Sequence, residues 1–150
     1  MPAFSKDSTA KTPFGKNVYL RSTRDLKFES YTIAASTVPA VTIDGTATKV
    51  LQPGTCIAKI TSTGESGKVG PRDAGATDGR QTVANLVGVN DTFLPWQLNH
   101  HDVEISVAYE AAVVGAWLFE VASGAWIAAT TTTKNALATG GGANLALLVR

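Results

Sequence analysis

The chain has 150 residues, of which 44% are hydrophobic and 17% are charged, and its formal net charge is +1. This composition is typical of one globular domain and argues against a disordered or coiled-coil chain. The near-zero net charge provides no basic field for binding a nucleic-acid backbone. One cysteine excludes an internal disulfide framework and any metal site built from several cysteines.

The first thirty residues differ from the rest of the chain. They carry six basic and three acidic residues, whereas the remainder carries seven basic and nine acidic residues. Their apolar residues are isolated and follow neither a helical nor an alternating period. The candidate partner contacts among them are Phe14, Val18, Tyr19 and Leu20. We predict an extended N-terminal arm over residues 1–30 and a β-rich domain over residues 31–150. The arm is either a tail without a role or a segment that orders on a partner, and the apolar residues favour the second.

Beyond the arm the pattern is that of β-strands joined by turns. Asp44-Gly45 stands between two β-branched runs and predicts a hairpin, because a type I′ turn needs positive φ at both central residues. Pro53-Gly54 predicts a second turn, in which Gly takes the positive φ. Residues 55–61 are then predicted to form a strand.

Two more strands are predicted at residues 81–89 and 103–109. The second alternates apolar and polar residues, as a half-buried strand does. The apolar run over residues 111–129 has nearly the length of a membrane span. Glu120 and several small residues interrupt this run, so we expect a buried core segment and no membrane insertion.

The C-terminal part is predicted to contain two strands, a helix and a last strand. The two strands flank residues 122–124 and place Trp117 and Trp126 in the core. Thr132 or Thr133 begins a short helix over residues 134–138, which ends at the glycine run that starts at Gly140. Residues 145–149 form the final strand.

Residues that could carry catalysis are few and poorly arranged. A nucleophile with its base would need Cys56 beside His100 or His101, but Cys56 shares a strand face with apolar residues and is expected to be buried. His100-His101-Asp102 could hold one metal ion only in a bent loop, since consecutive residues of an extended backbone point to opposite sides. We therefore expect no enzyme, no cofactor and no metal site.

Several stretches carry a family likeness through their order and spacing. They are VLQPGTCIAKI at 50–60, GKVGPRD at 67–73, ATDGRQT at 76–82, VAYEAAV at 107–113 and LLVR at 147–150. Together they resemble the tailed-bacteriophage head decoration proteins, the lambda-type capsid-stabilising family. The likeness covers mainly residues 38–113, and its motifs are structural rather than catalytic.

The resemblance implies a mainly β fold, with a compact β-barrel or sandwich-like body, one short C-terminal helix and the extended arm. It also implies a protein made in the host cytoplasm that binds the outer surface of the phage head as a homotrimer. There the arm would order on the major capsid protein and stabilise contacts between its subunits. The candidate self-association residues are Trp117, Phe119, Trp126, Leu147 and Val149. Two alternatives stay open, namely a small structural protein of the virion tail or baseplate and a small thiol hydrolase using Cys56.

Overall fold

β-Strands dominate the computed structural model, which describes residues 19–62, 64–140 and 145–150 and, at residues 23–25, the backbone alone. In chain order the strands are β1 (Leu20–Ile33), β2 (Ala40–Ile43), β3 (Thr46–Lys49), β4 (Cys56–Lys59), β5 (Val69–Pro71), β6 (Leu86–Asn90), β7 (Val103–Val113), β8 (Phe119–Ala122), β9 (Ala125–Ala128) and β10 (Ala146–Val149). The α-helix of these residues is α1 (Thr131–Thr139), and short 3-10 turns occupy Ala35–Thr37, Val83–Asn85, Gln97–Asn99 and Gly115–Trp117. The predicted mainly β class with one short C-terminal helix is confirmed.

Strands β1, β5, β4, β6 and β7, in that order, close a ring, because β7 pairs with β1 as well as with β6. β10 lies parallel to β7 and pairs with residues 110–113 of β7, beyond the residues that pair with β6. The hairpins β2–β3 and β8–β9 form separate two-stranded sheets. The closure between β1 and β5 is short, since these strands pair at the single register position Ile33–Val69. The ring gives the described part of the chain the compact barrel-like body that was predicted.

Alternation along β4 divides the core into an inner and an outer cluster. Ile57 belongs to the inner cluster, which takes side chains such as Val69 and Val107 from all the ring strands. Its neighbour Cys56 points to the opposite face, as successive strand residues do, and belongs to the outer cluster. α1 covers the outer cluster with the fully buried side chain of Leu137. The ring is therefore packed on its inside and, under the helix, on its outside.

The N-terminal boundary of the body differs from the prediction. β1 begins at Leu20, and its backbone pairs with β7 along most of its length. Residues 20–30 therefore belong to the ring, and the predicted boundary at residue 30 is wrong. The physical reason is that three register shifts interrupt the β1–β7 pairing, so no regular alternation marks this strand in the sequence.

Two of the four predicted arm contacts are also part of the body. Tyr19 is 2% exposed, and its hydroxyl donates a hydrogen bond to Asp91 Oδ1 at 2.8 Å. Burial and then this hydrogen bond raise the pKa of the Tyr19 hydroxyl. Leu20 packs against the outer cluster. Assigning Tyr19 to a partner contact was wrong because its side chain fills the core. Leu20 is only partly buried, so its assignment stays a prediction, and Phe14 and Val18 lie outside the described residues.

The predicted turns are confirmed by their backbone angles. Asp44 and Gly45 have φ values of 47° and 77°, and the two strands that they join are antiparallel. Gly54 has a φ of 94°, as the second position of a Pro-Gly turn requires. Local turn chemistry thus places the β2–β3 hairpin and the start of β4.

The helix starts earlier than predicted. Its N-cap is Thr130, rather than Thr132 or Thr133, and the Thr130 side chain accepts a hydrogen bond from the Thr133 backbone N–H at 3.4 Å. The predicted end is confirmed, because Gly140 caps the helix in the left-handed conformation. The run of threonines before the helix offers several residues of the right type, so the sequence leaves the choice among them open.

Candidate functional site

The Cys56 thiol is fully buried in the outer cluster. Burial raises the pKa of this thiol, and the Glu120 carboxylate raises it further. His100 and His101 are exposed, and the His100 ring lies edge-on to Trp96 with the ring centroids 6.0 Å apart. No hydrogen bond joins the thiol to either imidazole within the described residues. A buried, protonated thiol is a poor nucleophile, so this geometry offers no support for a thiol hydrolase.

Asp102 has a structural part in the loop that it shares with the two histidines. It accepts hydrogen bonds from Lys68 Nζ at 2.5 Å and from the Ala35 backbone N–H at 2.8 Å. These bonds, first the one from Lys68, hold the pKa of Asp102 below its ordinary range. Within the described residues, no three His, Cys, Asp or Glu side chains are grouped so that they could hold a metal ion. Asp102 thus ties its loop to the residue that precedes β5 and to the turn after β1.

The predicted self-association residues are divided between core and surface. Leu147 is 5% exposed and packs in the outer cluster, so it is not available to a second copy. Three others are partly buried: Phe119, Trp126 and Val149. Trp117 is 39% exposed, and its predicted place in the core was wrong because the 3-10 turn that contains it lies at the surface. On β10 the exposed leucine is Leu148, at 49%, since neighbouring strand residues face opposite sides.

The first described residue and the C-terminus meet at one end of the body. The Val114 backbone N–H donates a hydrogen bond to the Tyr19 carbonyl at 2.8 Å. The Gly115 N–H donates to the Arg150 carbonyl at 2.7 Å. We call the region formed by these four residues the termini end. The chain that precedes Tyr19 therefore joins the body close to the turn that carries the exposed Trp117.

A pocket of about 690 Å³ opens on the ring, and residues of β1, β4, β6 and β7 line it. Three aromatic side chains, Phe28, Tyr31 and Tyr109, contribute to the lining together with the charged Glu29 and Lys59. The Tyr31 hydroxyl donates a hydrogen bond to Glu29 Oε2 at 2.9 Å. Burial and then this hydrogen bond raise the pKa of Tyr31 to about 12.

Reasoning from the sequence missed this pocket. The alternation of apolar residues in the sequence keeps one phase along β7, whereas in the structure Val107 and Ala108 are both buried and the next buried residue is Ala111. Such a change of phase indicates a β-bulge. The register between β7 and β1 sets the position of the bulge, and local alternation does not reveal that register, so the sequence does not predict the pocket.

No family can be assigned to this body from known proteins. No helix of the described residues combines the length and the apolar character needed to cross a membrane. Comparisons with protein-family models, with curated proteins and with solved structures find no match to this chain.

Proposed function

We propose that this chain is a head decoration protein of a tailed bacteriophage. It binds the outer surface of the phage head as a homotrimer and stabilises contacts between major capsid protein subunits. The observation that carries the proposal is that four of the five stretches with the family likeness overlap strands of the body, while the fifth, residues 76–82, lies in a loop. The four stretches contain β4, β5, the last part of β7 and most of β10. A likeness confined to loops or to one element would be weaker support, since short motifs recur by chance.

The side chains that could carry catalysis are buried or bound to other parts of the fold, which supports a structural function. Cys56 is buried, Asp102 holds two elements together, and Glu120 accepts hydrogen bonds at the start of α1. Each of these groups serves the fold in the described residues, where catalysis would require it to face a substrate. A decoration protein needs a rigid body with a contact surface, and the ring supplies the rigid body.

We assign the contact with the capsid to the termini end and the chain that enters there. Trp117 is exposed beside this region, and tryptophan is enriched at the centres of protein interfaces. Phe14 and Val18 precede Tyr19 and keep their assignment to the major capsid protein. Because Tyr19 is buried, it anchors their segment to the body. Three copies related by a closed three-fold axis would bind one capsid site with avidity.

Immunogold electron microscopy of virions from the source of this chain tests the proposal. We expect label over the head, whereas label on the tail or baseplate would overturn the proposal in favour of the tail alternative. Light scattering on the purified protein and on the protein released from heads measures the oligomeric state. A chain that is monomeric both in solution and after release would contradict the homotrimer.

A further inference from the structure

Two β-bulges border the pocket on the ring. The β1–β7 pairing passes from Lys27 with Glu110 to Phe28 with Ala108, which leaves Tyr109 as an extra residue of β7. The β4–β6 pairing makes a similar step and leaves Val87 as an extra residue of β6. Bulges bend a strand and turn a side chain out of the regular alternation, and they are frequent beside binding sites. Both extra residues line the pocket.

Polar groups in the pocket have hydrogen-bond donors and acceptors that make no bond to the described residues. The Lys59 ammonium group makes no ion pair there, and the Tyr109 hydroxyl makes no hydrogen bond. Asn85 donates through Nδ2 to the Gly79 carbonyl at 2.8 Å, which leaves its Oδ1 as an acceptor. The Glu29 carboxylate is held by one hydrogen bond and retains further acceptor sites. The pocket therefore presents both donors and acceptors.

The lining favours some classes of ligand over others. A simple anion would meet the Glu29 carboxylate, and a simple cation would meet the Lys59 ammonium group. A purely apolar ligand would desolvate these groups without giving them partners, which costs free energy. A ligand of this pocket has to bind both donors and acceptors and also cover aromatic side chains. A saccharide does both, because its hydroxyl groups donate and accept hydrogen bonds while the C–H groups of its ring face pack on aromatic side chains. The volume of about 690 Å³ lies within the usual range of small-molecule sites.

We propose that this pocket binds a neutral saccharide. One pyranose face packs against Phe28, which is 41% exposed and therefore accessible. Lys59 and Glu29 exchange hydrogen bonds with the hydroxyl groups, and the hydroxyl of Tyr109 adds a further contact. The proposal does not depend on the role in the phage head, because the pocket is formed by ring strands and not by the termini end.

Titration of the ¹⁵N-labelled full chain with neutral trisaccharides of glucose, mannose, galactose and N-acetylglucosamine, followed by NMR, tests the proposal. We expect saturable shifts with at least one probe at the amides of residues 28–31, 84–87 and 109. Phe28→Ala should weaken that binding about three- to ten-fold, as expected for the loss of one aromatic contact. Trp96→Ala is the matched control, since Trp96 is an exposed aromatic residue outside the pocket lining, and it should bind as the unchanged protein does.

Three outcomes would overturn the saccharide assignment. They are the absence of saturable shifts with all the trisaccharides, shifts that lie away from the pocket, and equal binding by the Phe28→Ala variant. Saturation by the zwitterionic peptide trialanine without any response to the sugars would reassign the pocket to a peptide. The Phe28→Ala change alters only the pocket. Binding of this variant to heads therefore tests the proposed function separately from saccharide binding.

Discussion

A buried carboxylate connects the β8–β9 hairpin to the start of α1. Glu120 is 2% exposed, and it accepts hydrogen bonds from the Thr130 backbone N–H at 3.3 Å and from the Thr133 hydroxyl. Thr130 is the N-cap of the helix, so the negative charge lies at the positive end of the helix dipole. The carboxylate is thereby stabilised in a place where an unpaired charge would be costly.

We expect Glu120→Ala to lower the free energy of unfolding by about 2–4 kcal/mol, because the buried Thr133 hydroxyl and the Thr130 backbone N–H lose their acceptor. Glu104→Ala is the control, since Glu104 is exposed on β7, and it should change the free energy by less than about 0.5 kcal/mol. Urea unfolding followed by tryptophan fluorescence measures both. Similar small losses in the two variants would contradict the structural role of Glu120.

The ion pair of Asp102 predicts a dependence of stability on pH. Its pKa is lower in the folded protein than in the unfolded chain, so it stabilises the fold above the unfolded value of about 4. This contribution is lost as the pH falls through the folded pKa. We expect Asp102→Asn to lose about 1 kcal/mol near pH 7 and to approach the unchanged protein in stability below about pH 4.

Urea unfolding of both proteins across this pH range measures the difference between them. Lys68→Met removes the partner of Asp102 and should reduce the same pH-dependent part of the stability. If the difference in the free energy of unfolding between Asp102→Asn and the unchanged protein stays constant with pH, the negative charge of Asp102 does not contribute to stability.

Among the strands, the β6–β7 contact depends on a glycine. Gly88 has a φ of 142°, and a Cβ at this position would lie 2.1 Å from the Ala108 carbonyl oxygen. Gly45 also has a positive φ, of 77°, but no atom lies within 4 Å of its Cβ position. Backbone strain is thus common to the two sites, whereas the steric clash belongs to Gly88 alone.

We expect Gly88→Ala to lower the free energy of unfolding by about 3 kcal/mol or more, because the clash separates β6 from β7. Gly45→Ala should cost about 1 kcal/mol, which is the cost of the left-handed conformation by itself. Thermal and urea unfolding measure the two variants side by side. Equal losses would show that β6 can move away from β7 without cost.

Elements with local signals could be predicted from the sequence. The β2–β3 hairpin follows from Asp44-Gly45, the start of β4 from Pro53-Gly54, and the end of α1 from Gly140. In each case the residues that determine the backbone angles lie within the turn itself. Their conformation therefore needs no information about distant parts of the chain.

Elements that depend on distant partners could not be predicted in the same way. β1 is a strand because β7 pairs with it, and its own residues show no regular period. The pocket arises from bulges at Tyr109 and Val87, whose positions are set by the registers with β1 and β4. The likeness to head decoration proteins suggested the framework, but it gave no reason to include residues 20–30 in the body.

At the scale of the whole molecule, β1 closes the ring by pairing with both β5 and β7. We expect deletion of residues 1–30 to abolish cooperative unfolding, because it removes most of β1 and opens the ring along β7. Deletion of residues 1–18 should preserve cooperative unfolding, because Tyr19 and the whole of β1 remain. Circular dichroism during heating, together with the sharpness of the amide NMR spectrum, distinguishes the two outcomes.

The shorter deletion also separates folding from the proposed function. If residues 1–18 carry contacts with the major capsid protein, the folded truncated protein should bind expanded heads much more weakly than the full chain in a co-sedimentation assay. Full binding by this variant would assign capsid recognition to the body alone, with Trp117 beside the termini end as the first residue to replace. A longer deletion could not answer the question, because a chain without β1 would fail to bind simply by failing to fold.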